Sequence, residues 1–207
     1  MNFKKLLEIE TESFNQEKYE RNKFLARIFG IFNEEIVRIW CKSPTTPYID
    51  LGRPTIYAKN AKKGNTLDFT LMKKGTGEIF IAEMKSWLAY NKYKFLELDS
   101  DFDFETYAGK STSFKNFLKL TKNPKKFKVK IKKNKKREVK TAEGGILIWP
   151  VVKETSKKSL CEKYGFHDIL SLEDIISDLI KEKNVEYINF LKEKKSWIDY
   201  LFSNLIN

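Results

Sequence analysis

Two carboxylates and a lysine, Asp68, Glu83 and Lys85, stand inside an apolar stretch that reads NTLDFTLMKKGTGEIFIAEMKSW from Asn65 to Trp87. The pattern predicts two strands joined by a glycine-containing turn. Strand side chains alternate, so Ile79, Ile81, Glu83 and Lys85 share one face of the second strand, and Phe80, Ala82 and Met84 share the other. In the first strand Leu67, Phe69 and Leu71 share a face, while Asp68 joins Thr70 on the opposite one. Charge in a buried strand is costly unless it is paired, coordinates a metal or opens onto a cleft at the strand end. Two carboxylates can form half a shell around magnesium, which binds a few carboxylates and otherwise keeps water and substrate phosphate. A lysine beside them can orient a water and offset developing negative charge. Such a set suits metal-assisted phosphodiester hydrolysis.

The flanking elements must position these groups. A capping-box pattern at 13–16 (SFNQ) predicts a long helix to about Cys41, stopped by Ser43-Pro44. Leu25, Ile28, Phe29, Phe32, Ile36, Ile39 and Trp40 form its apolar stripe. Glu35 borders that stripe beside Ile28, Phe32 and Ile39; Glu34 points away, and Glu17 shares the azimuth of Glu35 about five turns earlier. Residues 48–58 read as extended, with a turn at Gly52-Arg53-Pro54. A helix is expected from about Phe104 to Thr121, burying Tyr107, Phe114, Phe117 and Leu118. Residues 122–140 alternate Phe127, Val129 and Ile131 with lysines, as a basic hairpin or loop would. Ile146–Trp149 is a continuous apolar run suited to a strand covered on both faces, ended by Pro150. Then come a helix near 156–164, a short strand at 168–170, a helix opened by Ser171 and Asp174, and a last helix over 185–205. This order predicts an α/β fold, a mixed central sheet flanked by helices, in one domain over residues 1–207.

Hydrophobic residues make up 41% of the 207, which supports a folded globular chain with a sizeable core. The formal charge of +12 points to an anionic partner, with nucleic acid ahead of a membrane surface. Residues 122–140 hold eleven Lys/Arg against the single acid Glu138, so one segment supplies +10 of that total. The candidate phosphate contacts are Lys125, Lys126, Lys128, Lys130, Lys132, Lys133, Lys135, Lys136 and Arg137. Cys41 and Cys161 have no metal-binding spacing, which fits a reduced intracellular protein. No apolar run approaches the roughly 20 residues that span a bilayer. A cytoplasmic location without membrane contact is expected.

Asp68 followed fifteen residues later by Glu83-Met84-Lys85 resembles the signature of the PD-(D/E)xK nuclease superfamily, which includes type II restriction enzymes and archaeal junction resolvases. Element order matches too, since the family core runs helix, three strands, helix, strand; the resemblance spans roughly residues 17–152. Leu67 stands where the name has proline. The resemblance implies a restriction-endonuclease-like core (αβββαβ) with extra C-terminal helices. It implies a DNA endonuclease that uses Mg2+ or Mn2+, leaves 5′-phosphate ends and acts as a homodimer. Asp68, Glu83 and the main-chain carbonyl of Met84 would hold the metal, and Lys85 would serve the attacking water. Glu35 would complete the site from the helix, with Glu34 and Glu17 as alternatives.

Other features have plainer readings beside functional ones. Asp50, in YIDLG, competes with Asp68, but its 33-residue separation from Glu83 is longer than one hairpin requires. Trp87, Tyr90, Tyr93 and Phe95 interleave with Lys92 and Lys94, which suits either core packing or base stacking. Asp99, Asp101, Asp103 and Glu105 fail as a calcium loop, because Phe104 and Lys110 replace the required glycine and glutamate. Lys110 and Ser113 could line a DNA cleft. His167, the one histidine, reads as a core or surface residue. Two other functions remain open: a catalytically inactive nucleic-acid-binding protein of the same fold, and an RNA-processing nuclease.

Overall fold

The structure, a computed structural model, describes residues 23–86, 97–100, 104–105, 111–133 and 136–206. The expected capping box at 13–16, Glu17, the aromatic run 87–95, Asp101, Asp103, Lys110 and Lys135 lie outside these residues. The strands in chain order are β1 (Tyr48–Asp50), β2 (Pro54–Ala58), β3 (Asn65–Thr66), β4 (Phe69–Lys73), β5 (Ile79–Met84) and β6 (Glu97–Leu98), then β7 (Phe127–Lys133), β8 (Lys136–Lys140), β9 (Gly144–Trp149), β10 (Val151–Val152) and β11 (Phe166–Ser171). The described helices are α1 (Lys23–Lys42), α2 (Thr112–Lys122), α3 (Glu154–Tyr164), α4 (Leu172–Lys181) and α5 (Val185–Ile206).

A mixed central sheet runs β1-β4-β5-β9-β11, antiparallel from β1 to β5 and parallel from β5 to β11. Alternation along its buried strands divides the core. Phe80, Ala82, Ile146 and Ile148 face α1 and α4, where they pack with Ile36, Trp40, Leu172 and Ile176. Ile81, Leu147 and Trp149 face the other way, onto Phe114 and Phe117 of α2 and Leu160 of α3. The expected mixed sheet with helices on both faces is therefore present. Gly145 lets α2 approach β9 closely: a Cβ there would stand 2.4 Å from Cγ2 of Thr121 and 2.9 Å from the Phe117 ring.

A second sheet, β3-β2-β7-β8, is antiparallel throughout. Its inner face carries Ile56, Phe127, Val129 and Ile131, which join the α2 side of the core. The basic segment is thus a hairpin, and β2 pairs with it along its length, Pro54 opposite Ile131 and Ala58 opposite Phe127.

Two expected elements differ. The first strand of the 65–87 stretch is broken at Leu67-Asp68: β3 pairs with β2, β4 pairs with β5, and Leu67 and Phe69 enter opposite sides of the core instead of sharing a face. The helix expected from Phe104 has as its main body α2, which starts at Thr112; the Ser111 hydroxyl accepts the Phe114 N–H at 3.2 Å and caps it. The Ser171 hydroxyl caps α4 as expected, accepting the Asp174 N–H at 3.4 Å. Among the described residues no helix is long and apolar enough to cross a membrane.

Candidate active site

The chain changes sheet twice at one place. β1 leaves the central sheet for β2 through Leu51, Gly52 and Arg53, with Gly52 at φ +99°, a conformation that favours glycine. The chain returns through Leu67 and Asp68. Backbone hydrogen bonds clamp the joint, from Leu51 N–H to Thr70 O at 2.8 Å and from Leu67 N–H to Pro54 O at 3.1 Å. Phe69 pairs with Ala82, so one position further Asp68 stands opposite Glu83, on the face of Thr70 and Ile81.

Glu83 is buried, with 8% of its side chain exposed. Burial pushes its carboxyl up to about 7; the Lys85 ammonium pulls it down, and Asp68 raises it by charge and by a hydrogen bond between the two carboxyl groups. Lys85 follows the last residue of β5, and its N–H donates to Ile148 O on β9 at 2.9 Å. Its Nζ donates to Glu83 Oε1 and lies 4.7 Å from the centroid of the Phe114 ring on α2. The sheet and α2 together therefore fix the ammonium.

Asp68 is held from two sides. Its Oδ2 accepts the Met84 N–H at 2.9 Å, and its Oδ1 accepts from the Arg53 guanidinium at 3.1 Å. Arg53 also donates to Glu34 Oε1 at 3.2 Å. Glu34 in turn accepts from Arg38 at 2.9 Å, and Arg38 lies 5.4 Å from the Phe69 ring centroid. The structure thus gathers Asp68, Glu83, Met84 and Lys85 in one place.

The helical carboxylate is a correction. Glu34, not Glu35, joins Asp68 through Arg53. Glu35 accepts from Arg38 at 3.3 Å, but its side chain is 42% exposed and lines a groove between α1 and α5. The apolar stripe of α1 has two destinations: Ile36, Ile39 and Trp40 are buried in the sheet-side core, whereas exposed Ile28 and half-buried Phe32 line the groove, which Ile39 also borders. Glu35 borders the groove side, and the wheel alone does not distinguish the two. Asp50 closes the Gly52 turn, accepting its N–H at 2.9 Å, and lies 3.8 Å from Arg38; burial raises its carboxyl above the ordinary value. Arg38 and Arg53 lie outside the sequence motif. Arg53 stands in a recognisable turn, but its partners lie 15 and 19 residues away with no local pattern linking them.

The lysine strand meets this joint, because Ile131 pairs with Pro54, the residue after Arg53. Lys125, Lys126 and Lys128 are exposed, and Lys130 Nζ lies 4.8 Å from the centroid of the Tyr57 ring. Lys132, Lys133, Lys136 and Arg137 belong to β7 and β8 around the hairpin tip. Ser113 lies in the first turn of α2, its hydroxyl 3.1 Å from that of Ser111. His167 is exposed and stacks on Phe80, near the opposite end of β5 from Glu83.

Family models, curated proteins and solved structures offer no match to this chain. The residues themselves must answer whether a metal suits the site. Among the described residues no three His, Cys, Asp or Glu side chains form a metal-holding group. Magnesium does not require three, since one or two carboxylates with water and phosphate suffice. Asp68 and Glu83 offer hard carboxylate oxygens of the kind that Mg2+ or Mn2+ binds, and in this structure Arg53 and Lys85 each occupy one of them.

Proposed function

We propose that this chain is a metal-dependent DNA endonuclease of the PD-(D/E)xK type on a restriction-endonuclease-like core. The observation that carries the reading is Asp68 opposite Glu83 across a strand pair, with Lys85 hydrogen-bonded to Glu83 at the strand end. The succession α1, then β1, β4 and β5 antiparallel, then α2 and a parallel β9 supports the core assignment. The basic sheet abutting the joint supports a nucleic-acid substrate.

A divalent cation held by Asp68, Glu83 and the Met84 carbonyl would supply charge at the scissile phosphate's non-bridging oxygens. Lys85 orients the attacking water and offsets the charge that grows on the phosphate. Phe114 and Glu83 hold the ammonium in place, so its position does not depend on substrate. Arg53 and the lysines of β7 position the nucleic-acid backbone, which gives salt-sensitive, largely sequence-independent affinity.

Cleavage of single-stranded DNA, duplex DNA, four-way junctions and RNA, with and without Mg2+ or Mn2+, tests the proposal. Metal-dependent cutting of DNA is expected. Lys85→Ala and Asp68→Ala are expected to lower the rate by about 100-fold or more while leaving binding nearly intact. Variants that cut like the parent would show that the site lies elsewhere, and cutting confined to RNA would make the chain an RNA-processing nuclease. A second reading draws on the ion pairs themselves. Arg53 bridges Asp68 and Glu34, and Lys85 neutralises Glu83, as in a structural charge network. Binding of every nucleic acid with cutting of none would favour that reading, a binding module of the same fold.

A further inference from the structure

Away from the carboxylates, α5 departs from the body of the protein. Tyr187 is buried, and Phe190 and Leu191 pack against the core. Beyond them, from Lys192 to Leu205, no side chain is buried. Trp197 is 60% exposed, Tyr200 71%, Phe202 55% and Leu205 71%. A helix with apolar residues on more than one side belongs against a partner. Beside it, α1 and α5 enclose an open groove of about 930 Å³. Its apolar lining includes Phe32 and Ile39 from α1 and Ile198 from α5, together with Ile28 and Ile31, which are 44% and 67% exposed.

We propose that this surface is a two-fold interface between copies of this chain, with the outer part of one α5 lying in the α1–α5 groove of the other. Area is the first reason. A standard interface buries about 800 Å² on each partner. Aromatic side chains bury roughly 150–250 Å² each, so Trp197, Tyr200 and Phe202, each more than half exposed, offer roughly 300–400 Å². Ile28, Ile31, Val185, Ile198 and Leu205, all exposed, raise the total towards the standard figure. Monomeric proteins rarely leave so large an apolar patch in water.

Shape selects a second copy over other occupants. Projection and groove lie on the same surface of the same chain, so a two-fold axis fills both grooves with both projections and closes the assembly. The groove's acids are matched in place, Glu35 by Arg38, Glu186 by Lys42 and Glu193 by Lys194, so its lining is apolar with paired charges and offers no basic patch to nucleic acid or anionic lipid. The proposal does not depend on the nuclease reading.

Light scattering on the full chain, purified free of nucleic acid, tests it. At about 100 µM, above the range in which standard interfaces dissociate, twice 24.5 kDa is expected. Trp197→Asp with Phe202→Asp is expected at 24.5 kDa with unchanged circular dichroism, since both positions are exposed. Ile31→Lys, on the other helix of the groove, is expected to give the same loss, and it decides the matter if the double variant aggregates. Tryptophan emission in the parent should shift to the red on dilution, and that shift should be absent in the Trp197→Asp variant. A parent that stays at 24.5 kDa overturns the proposal, as does a dimer that survives both sets of substitutions.

Discussion

Burial drives the Glu83 carboxyl towards its protonated form, and Lys85 opposes that drive through its charge and one hydrogen bond. A carboxyl whose folded value is raised binds its proton more tightly in the folded state than in the unfolded state. Between the ordinary value of 4.5 and the raised value of about 7, the folded protein therefore holds more protons, and stability falls as pH rises through that window. Each pH unit between the two values corresponds to about 1.4 kcal/mol. Urea denaturation in chelator is expected to show this loss in the parent and a flatter profile in Glu83→Gln; parallel profiles would mean that Glu83 is not the source. Arg53 offers a second test at this scale, because its guanidinium occupies Asp68 Oδ1. An exposed ion pair is worth up to about 1 kcal/mol, so Arg53→Gln should tighten Mn2+ binding about two- to five-fold by calorimetry. Unchanged affinity would separate Arg53 from the cation's ligands.

At the scale of elements, the site exists because two sheets part at one joint. Glu83 and Lys85 were legible from the two-residue period, since the sheet preserves that alternation through β5. Asp68 was legible by spacing, but the reason it stands opposite Glu83 was not. The chain leaves one sheet for the other at Leu67-Asp68, and the pairing of β2 with β7 that enforces this joins residues 69 to 77 apart. Such pairing leaves no local mark in a sequence. For the same reason the basic segment was legible as a hairpin or loop, but its place beside Arg53 was not. That place has a measurable consequence. Lys128→Glu with Lys130→Glu should weaken duplex DNA binding across sequences and lower the salt slope by about 2. An unaltered slope would exclude this sheet from the interface. The contact of α2 with β9 is testable as well. Gly145→Ala places a methyl 2.4 Å from Thr121 Cγ2, and is expected to cost roughly 1–3 kcal/mol in urea denaturation.

At the scale of the whole molecule, α1 connects the two proposed surfaces. One side of the helix presents Glu34 to the Arg53–Asp68 joint, and another lines the groove with Ile28, Ile31 and Glu35. One helix therefore belongs both to the site and to the proposed two-fold interface. Two sites mounted this way, in fixed mutual orientation, can cut both strands of a duplex in one encounter. A single site must dissociate or turn over between strands. If both proposals hold, the dimeric parent should convert supercoiled plasmid to linear DNA with little nicked circle. Trp197→Asp with Phe202→Asp leaves Asp68, Glu83 and Lys85 untouched, so it should still nick and should accumulate nicked circles before linear product. Gel analysis of the plasmid forms over time separates the outcomes. Equal accumulation of nicked circles by parent and variant would show that the two sites act independently, whatever the solution mass. Loss of all cutting in the variant alone, at unchanged circular dichroism, would show that each site needs the interface to be competent.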